Sequence, residues 1–173
     1  MRIFLIGFMA CGKTTIGKKL AKKLGFTFID LDDFIFQTYQ KTVRQLFDEG
    51  GEAHFRSIER MALNEVIRFE RVVVSTGGGT PCFYDNIQII KQHGISVYLQ
   101  MSAKGLARRL MAAKEDRPLV KEKTEDELIA YVADTLAQRE QFYNQASMTI
   151  EATNPDVCAL SDTLCRKLND WAF

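Results

Sequence analysis

No stretch of the 173-residue sequence is long and apolar enough to span a bilayer; the longest, IFLIGFMAC, falls far short of the roughly 20 residues a membrane helix needs. The chain also lacks a charge excess. Its 23 Lys and Arg nearly balance 22 Asp and Glu, so no strong field favours nucleic acid or an anionic membrane, and the expected partner is small. The four cysteines (Cys11, Cys82, Cys158, Cys165) have no C-x-x-C spacing, which sets aside zinc and redox sites of that kind and leaves free thiols. There is no internal repeat, low-complexity tract or linker. Met1-Arg2 runs into a strand-like segment without signal-peptide architecture. The expectation is a mature cytoplasmic chain, a monomer by default, whose residues 1–173 form one domain with enough apolar residues (46%) to bury a core.

Short runs rich in β-branched and aromatic residues (RIFLIG, FTFID, RVVVST, ISVYLQ, SMTIEA) alternate with longer amphipathic stretches, which reads as α/β. The runs are apolar throughout, as parallel strands covered by helices on both faces require. A first helix places Ile16, Leu20 and Leu24 on one stripe and ends at Gly25. Two charged segments interrupt the pattern as excursions from the sheet. One is QTYQKTVRQLFDEGGEAHFRS. The other carries ten charged residues between Lys114 and Glu127 around Pro118 and suits a solvated, mobile segment.

Residues Gly7 to Thr14, GFMACGKT, fit G-x-x-x-x-G-K-[ST] between a strand and a helix. Glycines let the backbone wrap an anion, helix-terminal N–H groups point at phosphates, Lys13 reaches the β and γ groups, and the Thr14 hydroxyl can ligate Mg²⁺. Asp48 to Gly51 satisfies the bare D-x-x-G of GTPase switches, but no apolar strand precedes it and no N-K-x-D occurs, so the match is accidental. The short chain, without an apolar strand ending in a lone acid, disfavours a motor ATPase.

In FIDLDD, Asp30 and Asp32 stand two apart at a strand's carboxyl end, so their side chains are expected on one side. One could hold a metal through water and the other receive a hydroxyl proton; helix capping is the alternative and explains Asp33, but beside a phosphate loop the functional reading of Asp30 and Asp32 is favoured. The run RVVVST enters Gly77-Gly78-Gly79, where missing Cβ atoms let backbone N–H groups approach a ligand. On a helix from about Asp126 to Tyr143, Arg139 shares the stripe of Leu128, Val132, Leu136 and Tyr143. Arg56 borders the stripe of Phe55, Ile58, Ala62 and Val66, with Glu59 at i+3. Each arginine could serve an internal ion pair, or both could grip a carboxylate.

Taken together, GFMACGKTT, FIDLDD, LFDEGGEAHFRSIE, STGGGT, RPLV and QREQFY resemble the shikimate kinase family over nearly the whole chain. The resemblance implies a three-layer P-loop NTPase fold with a five-stranded parallel sheet in the order 2-3-1-4-5. It also implies transfer of the γ-phosphate of ATP to the 3-hydroxyl of shikimate, a step toward chorismate and the aromatic amino acids. Gly7, Ala10, Cys11, Gly12, Lys13, Thr14 and Thr15 would hold ATP, with Arg109, Asn154 and Pro155 on the adenine side. Thr14 and Asp30 would hold Mg²⁺. Lys13, Asp32 and Arg117 would be catalytic, Asp32 as base and Arg117 closing over the phosphates from a lid at about 112–124. The acceptor segment at about 31–60 would contribute Asp32, Phe47, Phe55 and Arg56, joined by Gly77, Gly78, Gly79 and Arg139. Two positions depart from the family: Phe36 replaces a common acid and Gln40 a common glycine. Gluconate kinase is the nearest alternative enzyme. A kinase-like protein that binds without turnover is the alternative outside enzymes, and intact Lys13, Thr14, Asp32 and Arg117 argue against it.

Overall fold

The computed structural model describes residues 1–112 and 123–170. Five strands, β1 (Arg2–Ile6), β2 (Thr27–Asp30), β3 (Val72–Ser75), β4 (Ile95–Gln100) and β5 (Met148–Glu151), pair in the order β2-β3-β1-β4-β5, every pair parallel. The expected order is the one found. The central strands are apolar because they are covered: β3 is buried throughout, β1 from Ile3 to Ile6 and β4 from Ile95 to Leu99. Apolar runs do not imply the same burial at the edges. In β2 and β5 no residue is fully buried, since each has one neighbouring strand and thinner cover.

Seven helices flank the sheet among the described residues: α1 (Lys13–Leu24), α2 (Leu31–Tyr39), α3 (Val43–Val66), α4 (Asn86–His93), α5 (Ala103–Ala112), α6 (Glu125–Tyr143) and α7 (Val157–Asp170). Ile16 and Leu20 of α1 are buried, Leu24 partly so, and the Gly25 N–H caps the Ala21 carbonyl as expected. The first charged excursion is mostly helical. It supplies the end of α2 and most of α3, which is kinked at Gly51, and the accidental D-x-x-G lies inside α3. The start of α3 is fixed by a capping box in which Thr42 Oγ1 accepts from Gln45 N–H and the Gln45 side chain accepts from Thr42 N–H. The end of the second charged segment is likewise ordered into a helix start. Thr124 and Glu127 form the box of α6, and Glu125, Asp126 and Glu127 occupy its first turn, where acids complement the helix dipole.

The departures at Phe36 and Gln40 follow Asp32 by four and eight residues, one and two turns farther along α2. Phe36 is 47% exposed, and Gln40 ends the helix in the left-handed conformation (φ 54°, ψ 31°), its N–H capping the Phe36 carbonyl. Glycine adopts that conformation without the Cβ penalty, which gives a physical reason for a glycine here. Gln40→Gly is expected to stabilise the protein by about 0.5 kcal/mol, raising Tm by about 1–2 °C in thermal melts, because the left-handed penalty exceeds the entropy cost and one exposed side-chain bond to Gln37 O. A lower Tm would show that this bond dominates.

Since all strands run one way, the segments after β1, β2, β3 and β5 leave the sheet along one edge. Leu5 and Asp30 both register with Ser75, which brings the phosphate loop, the acids and the glycines side by side.

Candidate active site

The loop between β1 and α1 is shaped by left-handed backbone at Ala10 (φ 63°) and positive φ at Gly7 and Gly12, the latter capping α1. Such turns point successive N–H groups inward. Lys13 is buried, its ammonium donating to the carbonyls of Gly7 (2.9 Å) and Phe8 (2.8 Å). Cys11, for which sequence offers no role beyond loop filler, is fully buried with Sγ 3.8 Å from Lys13 Nζ, and a Cβ on Gly7 would come within 3.2 Å of it. It packs the inside of the loop. Thr14 Oγ1 donates to Asp30 Oδ2 at 2.8 Å.

Asp30 and Asp32 are not a strand pair. β2 ends at Asp30, which is the N-cap of α2 and accepts from Asp32 N–H at 3.2 Å, so capping belongs to Asp30 and not to Asp33. Asp32 lies in the first helical turn. The two carboxylates remain close enough to interact, by a helix start instead of strand spacing. The Asp32 carboxyl is open to the cleft yet flanked by protein. Burial, then Asp30, Glu59 and Asp33, push it up to about 6 against the pull of Lys13. Asp32 thus feels the loop lysine on one side and Glu59 on the other.

Glu59 is only 1% exposed and occupies the centre of the second half of the site. It accepts from Thr80 Oγ1 (2.6 Å) and from Arg56 Nη1 (2.9 Å). Arg56 also donates to Glu52, and its guanidinium lies 4.1 Å from the centre of the Phe83 ring and 5.1 Å from that of Phe55. The internal ion pair anticipated for Arg56 is therefore present. Phe47 stacks beside Phe55 at 4.7 Å. Arg139 is half-buried on α6 with its guanidinium 5.6 Å from the centre of the Phe8 ring, and among the described residues it has no carboxylate within salt-bridge distance. The charges of Arg139 and Arg56 both reach Cys82, whose thiol burial nevertheless pushes up to about 11. The two cations therefore converge on one region.

The triple glycine serves packing, a role beyond the ligand approach expected of it. A Cβ on Gly77 would lie 2.6 Å from Glu59 Oε1 and 3.5 Å from Asp32 Oδ1. On Gly78 it would lie 3.2 Å from Met9 N, and on Gly79 2.6 Å from Arg56 Nη2. Gly79→Ala is expected to displace the Arg56 guanidinium from its slot, lowering Tm by several degrees, as overpacking by about 1–3 kcal/mol does. Unchanged melting would mean that Arg56 has room to move.

A cavity of about 630 Å³ joins the phosphate loop, the two acids and the first glycines, lined by Met9, Ala10 and Gly12 to Thr15, by Asp30 and Asp32, and by Ser75 to Gly78, with Arg109 and Ala112. A second groove of about 340 Å³ shares Gly12, Thr15 and Arg109 and continues to Asn154 and Pro155. Arg109 spans the two. It donates to the carbonyls of Ala10 (3.5 Å) and Cys11 (3.1 Å) on one side and of Ala152 (3.2 Å) and Thr153 (3.0 Å) on the other. Arg56, Arg139, Phe47, Phe55 and Gly79 do not line the larger cavity. Arg117 lies outside the described residues, as does most of the segment expected at about 112–124. Sequence reasoning missed Phe83, Thr80 and Phe8. Thr80 follows the glycines directly and was within reach of inspection, but nothing local marks Phe83 or Phe8 as a cation's neighbour.

Comparison with known proteins agrees with this geometry. The family model described as "SKI: Shikimate kinase" matches residues 9–168. A shikimate kinase of Parabacteroides distasonis is 47% identical over 171 residues, 96% of this chain and 99% of the relative. The crystal structure of a shikimate kinase from Bacteroides thetaiotaomicron superposes with a TM-score of 0.86 at 44% identity, covering 99% of this chain and 98% of that one. That of the Acinetobacter baumannii shikimate kinase in complex with shikimate gives 0.82 at 30% identity, covering 98% and 93%. No helix among the described residues is long and apolar enough to cross a membrane.

Proposed function

The chain belongs to the shikimate kinase family, an ATP-dependent phosphotransferase family, and from that premise we propose how its residues divide the work on Mg-ATP and shikimate. The observation that carries the reading is Asp32. Its carboxyl is raised toward neutrality and stands between the lysine of a phosphate loop and the buried Glu59–Arg56 cluster.

The donor side is the loop from Gly7 to Thr15, whose N–H groups and Lys13 bind the phosphates of ATP, with the base end directed along Arg109 toward Asn154 and Pro155. Thr14 and Asp30 are the residues that would hold Mg²⁺. They fit because the Thr14 hydroxyl and the Asp30 carboxylate set two hard oxygens 2.8 Å apart beside the phosphate loop, and a hard cation bound largely by water and phosphate oxygens needs few protein ligands. When bound, the ion supplies neutralisation of the charge on the β- and γ-phosphates.

The acceptor side is the region about 31–60 together with Gly77 to Gly79 and Arg139. Arg56 and Arg139 grip the carboxylate of shikimate, while Phe47 and Phe55 form an apolar wall. Asp32 binds an acceptor hydroxyl and takes its proton as the oxygen attacks the γ-phosphorus, while the bond from that phosphorus to the β,γ-bridging oxygen breaks and ADP leaves. Positioning and charge account for the rest. A coupled assay of ADP release from Mg-ATP, with shikimate or gluconate as acceptor, tests the reading. Shikimate-dependent release is expected; release with gluconate alone, or with neither, would sink it.

A further inference from the structure

Tyr143 carries a hydroxyl that none of these roles uses. It is completely buried, lies one turn after Arg139 on α6, and stacks on Tyr98 with ring centroids 5.1 Å apart and planes at 33°. Its Oη donates to the carbonyl of Gly78 at 2.6 Å. Burial, then Cys82, push this hydroxyl well above the usual tyrosine range against the pull of Arg139, so it remains a donor across neutral pH. Tyr98 is almost equally buried, but its hydroxyl has no partner among the described residues. The bond to Gly78 is therefore particular to Tyr143.

A trans peptide sends its C=O and the following N–H to opposite sides. Drawing the Gly78 carbonyl toward α6 turns the Gly79 N–H away from it. Among the described residues, no backbone N–H of Gly77, Gly78 or Gly79 donates to a protein acceptor. A buried peptide donor normally finds a partner, so donors left without one are candidates for a ligand's acceptor atoms, Gly77 and Gly78 in the wall of the larger cavity and Gly79 on its Arg56 side. With no Cβ at any of the three positions, side-chain sterics do little to fix the peptide planes, and an anchoring bond matters more. The same peptide touches the donor loop, since a Cβ on Gly78 would approach Met9 N and Gly7 O to 3.2 and 3.6 Å.

We propose that Tyr143 is a positioning residue: by holding the Gly78 carbonyl it fixes the Gly79 N–H as a donor to the acceptor substrate, an inference that rests on the acceptor reading above. The test compares wild type, Tyr143→Phe and Tyr98→Phe in the ADP-release assay, with shikimate and ATP varied in turn. Tyr143→Phe keeps the ring and is expected to raise KM for shikimate roughly five- to tenfold, the worth of one hydrogen bond, leaving KM for ATP within about twofold. Tyr98→Phe is expected to change neither. An unchanged shikimate KM in Tyr143→Phe, an equal rise in both KM values, or the same rise in Tyr98→Phe overturns the proposal. Absence of shikimate-dependent ADP release from the wild type overturns the acceptor reading instead. Should Tyr143→Phe fail to fold, ¹⁵N-labelled wild type decides. The Gly79 amide proton is expected to move downfield on adding shikimate, and a stationary Gly79 signal while the Arg139 Nε signal moves overturns the assignment.

Discussion

Replacing Asp32 with asparagine is expected to lower kcat by about two to four orders of magnitude while ATP binding survives, because asparagine can still face a hydroxyl but cannot accept its proton. Stability should move the other way. The folded protein holds the Asp32 proton more tightly than the unfolded chain does, since burial, Asp30, Glu59 and Asp33 push its carboxyl up to about 6 against Lys13. A group raised in this way loses stability as pH climbs from about 4 to about 6 and stays unfavourable above. The neutral variant should therefore melt higher than wild type at pH 7 to 8, with the advantage gone below about pH 4. In the wild type, activity should rise with pH through about 6 as the carboxylate forms, and this limb should be missing from the variant's residual rate. Turnover at the wild-type level would remove Asp32 as base. A variant that melts lower at pH 8 would show that the carboxylate makes compensating bonds.

Arg139→Ala is expected to raise KM for shikimate by roughly 10- to 100-fold, with kcat changed only a few-fold and KM for ATP unaffected. Charge-assisted hydrogen bonds are worth about 1.5–3 kcal/mol, and this cation, with no carboxylate partner among the described residues, has its full charge to give. Arg139→Lys should recover part of the loss, since the charge returns without the planar fork. A rise confined to KM for ATP would instead assign Arg139 to the donor half.

These expectations depend unevenly on what could be read from the chain. The phosphate loop, the strand runs and the buried stripe of α6 were legible because each is a local pattern enforced by one element's periodicity. Asp30 and Asp32 were legible as a pair but not as a geometry. A strand that ends at Asp30, two residues before Asp32, turns a strand alternation into a helix cap, and boundaries respond to tertiary packing. The glycines at 77 to 79 show the opposite limit. Their necessity comes from Glu59, Met9 and Arg56, residues distant in sequence whose atoms crowd the missing Cβ positions. Gln40 shows how a departure from a family pattern can be harmless to chemistry. It alters the carboxyl end of α2, two turns away from Asp32 at the other end.

The two acids on Arg56 have a further consequence. Glu59 is inaccessible to water, whereas the Glu52 side chain is 56% exposed and its contact is the weaker, exchangeable one. A guanidinium held this way is already aligned before any acceptor arrives and loses little freedom on engaging it. It is also already neutralised, so it contributes little long-range pull. On the proposed acceptor reading, attraction and alignment are separated between two cations: Arg139 would supply the charge that distinguishes an anionic acceptor from a neutral polyol, and Arg56 the angle at which the carboxylate is received, with Glu52 as the ligand it gives up in exchange.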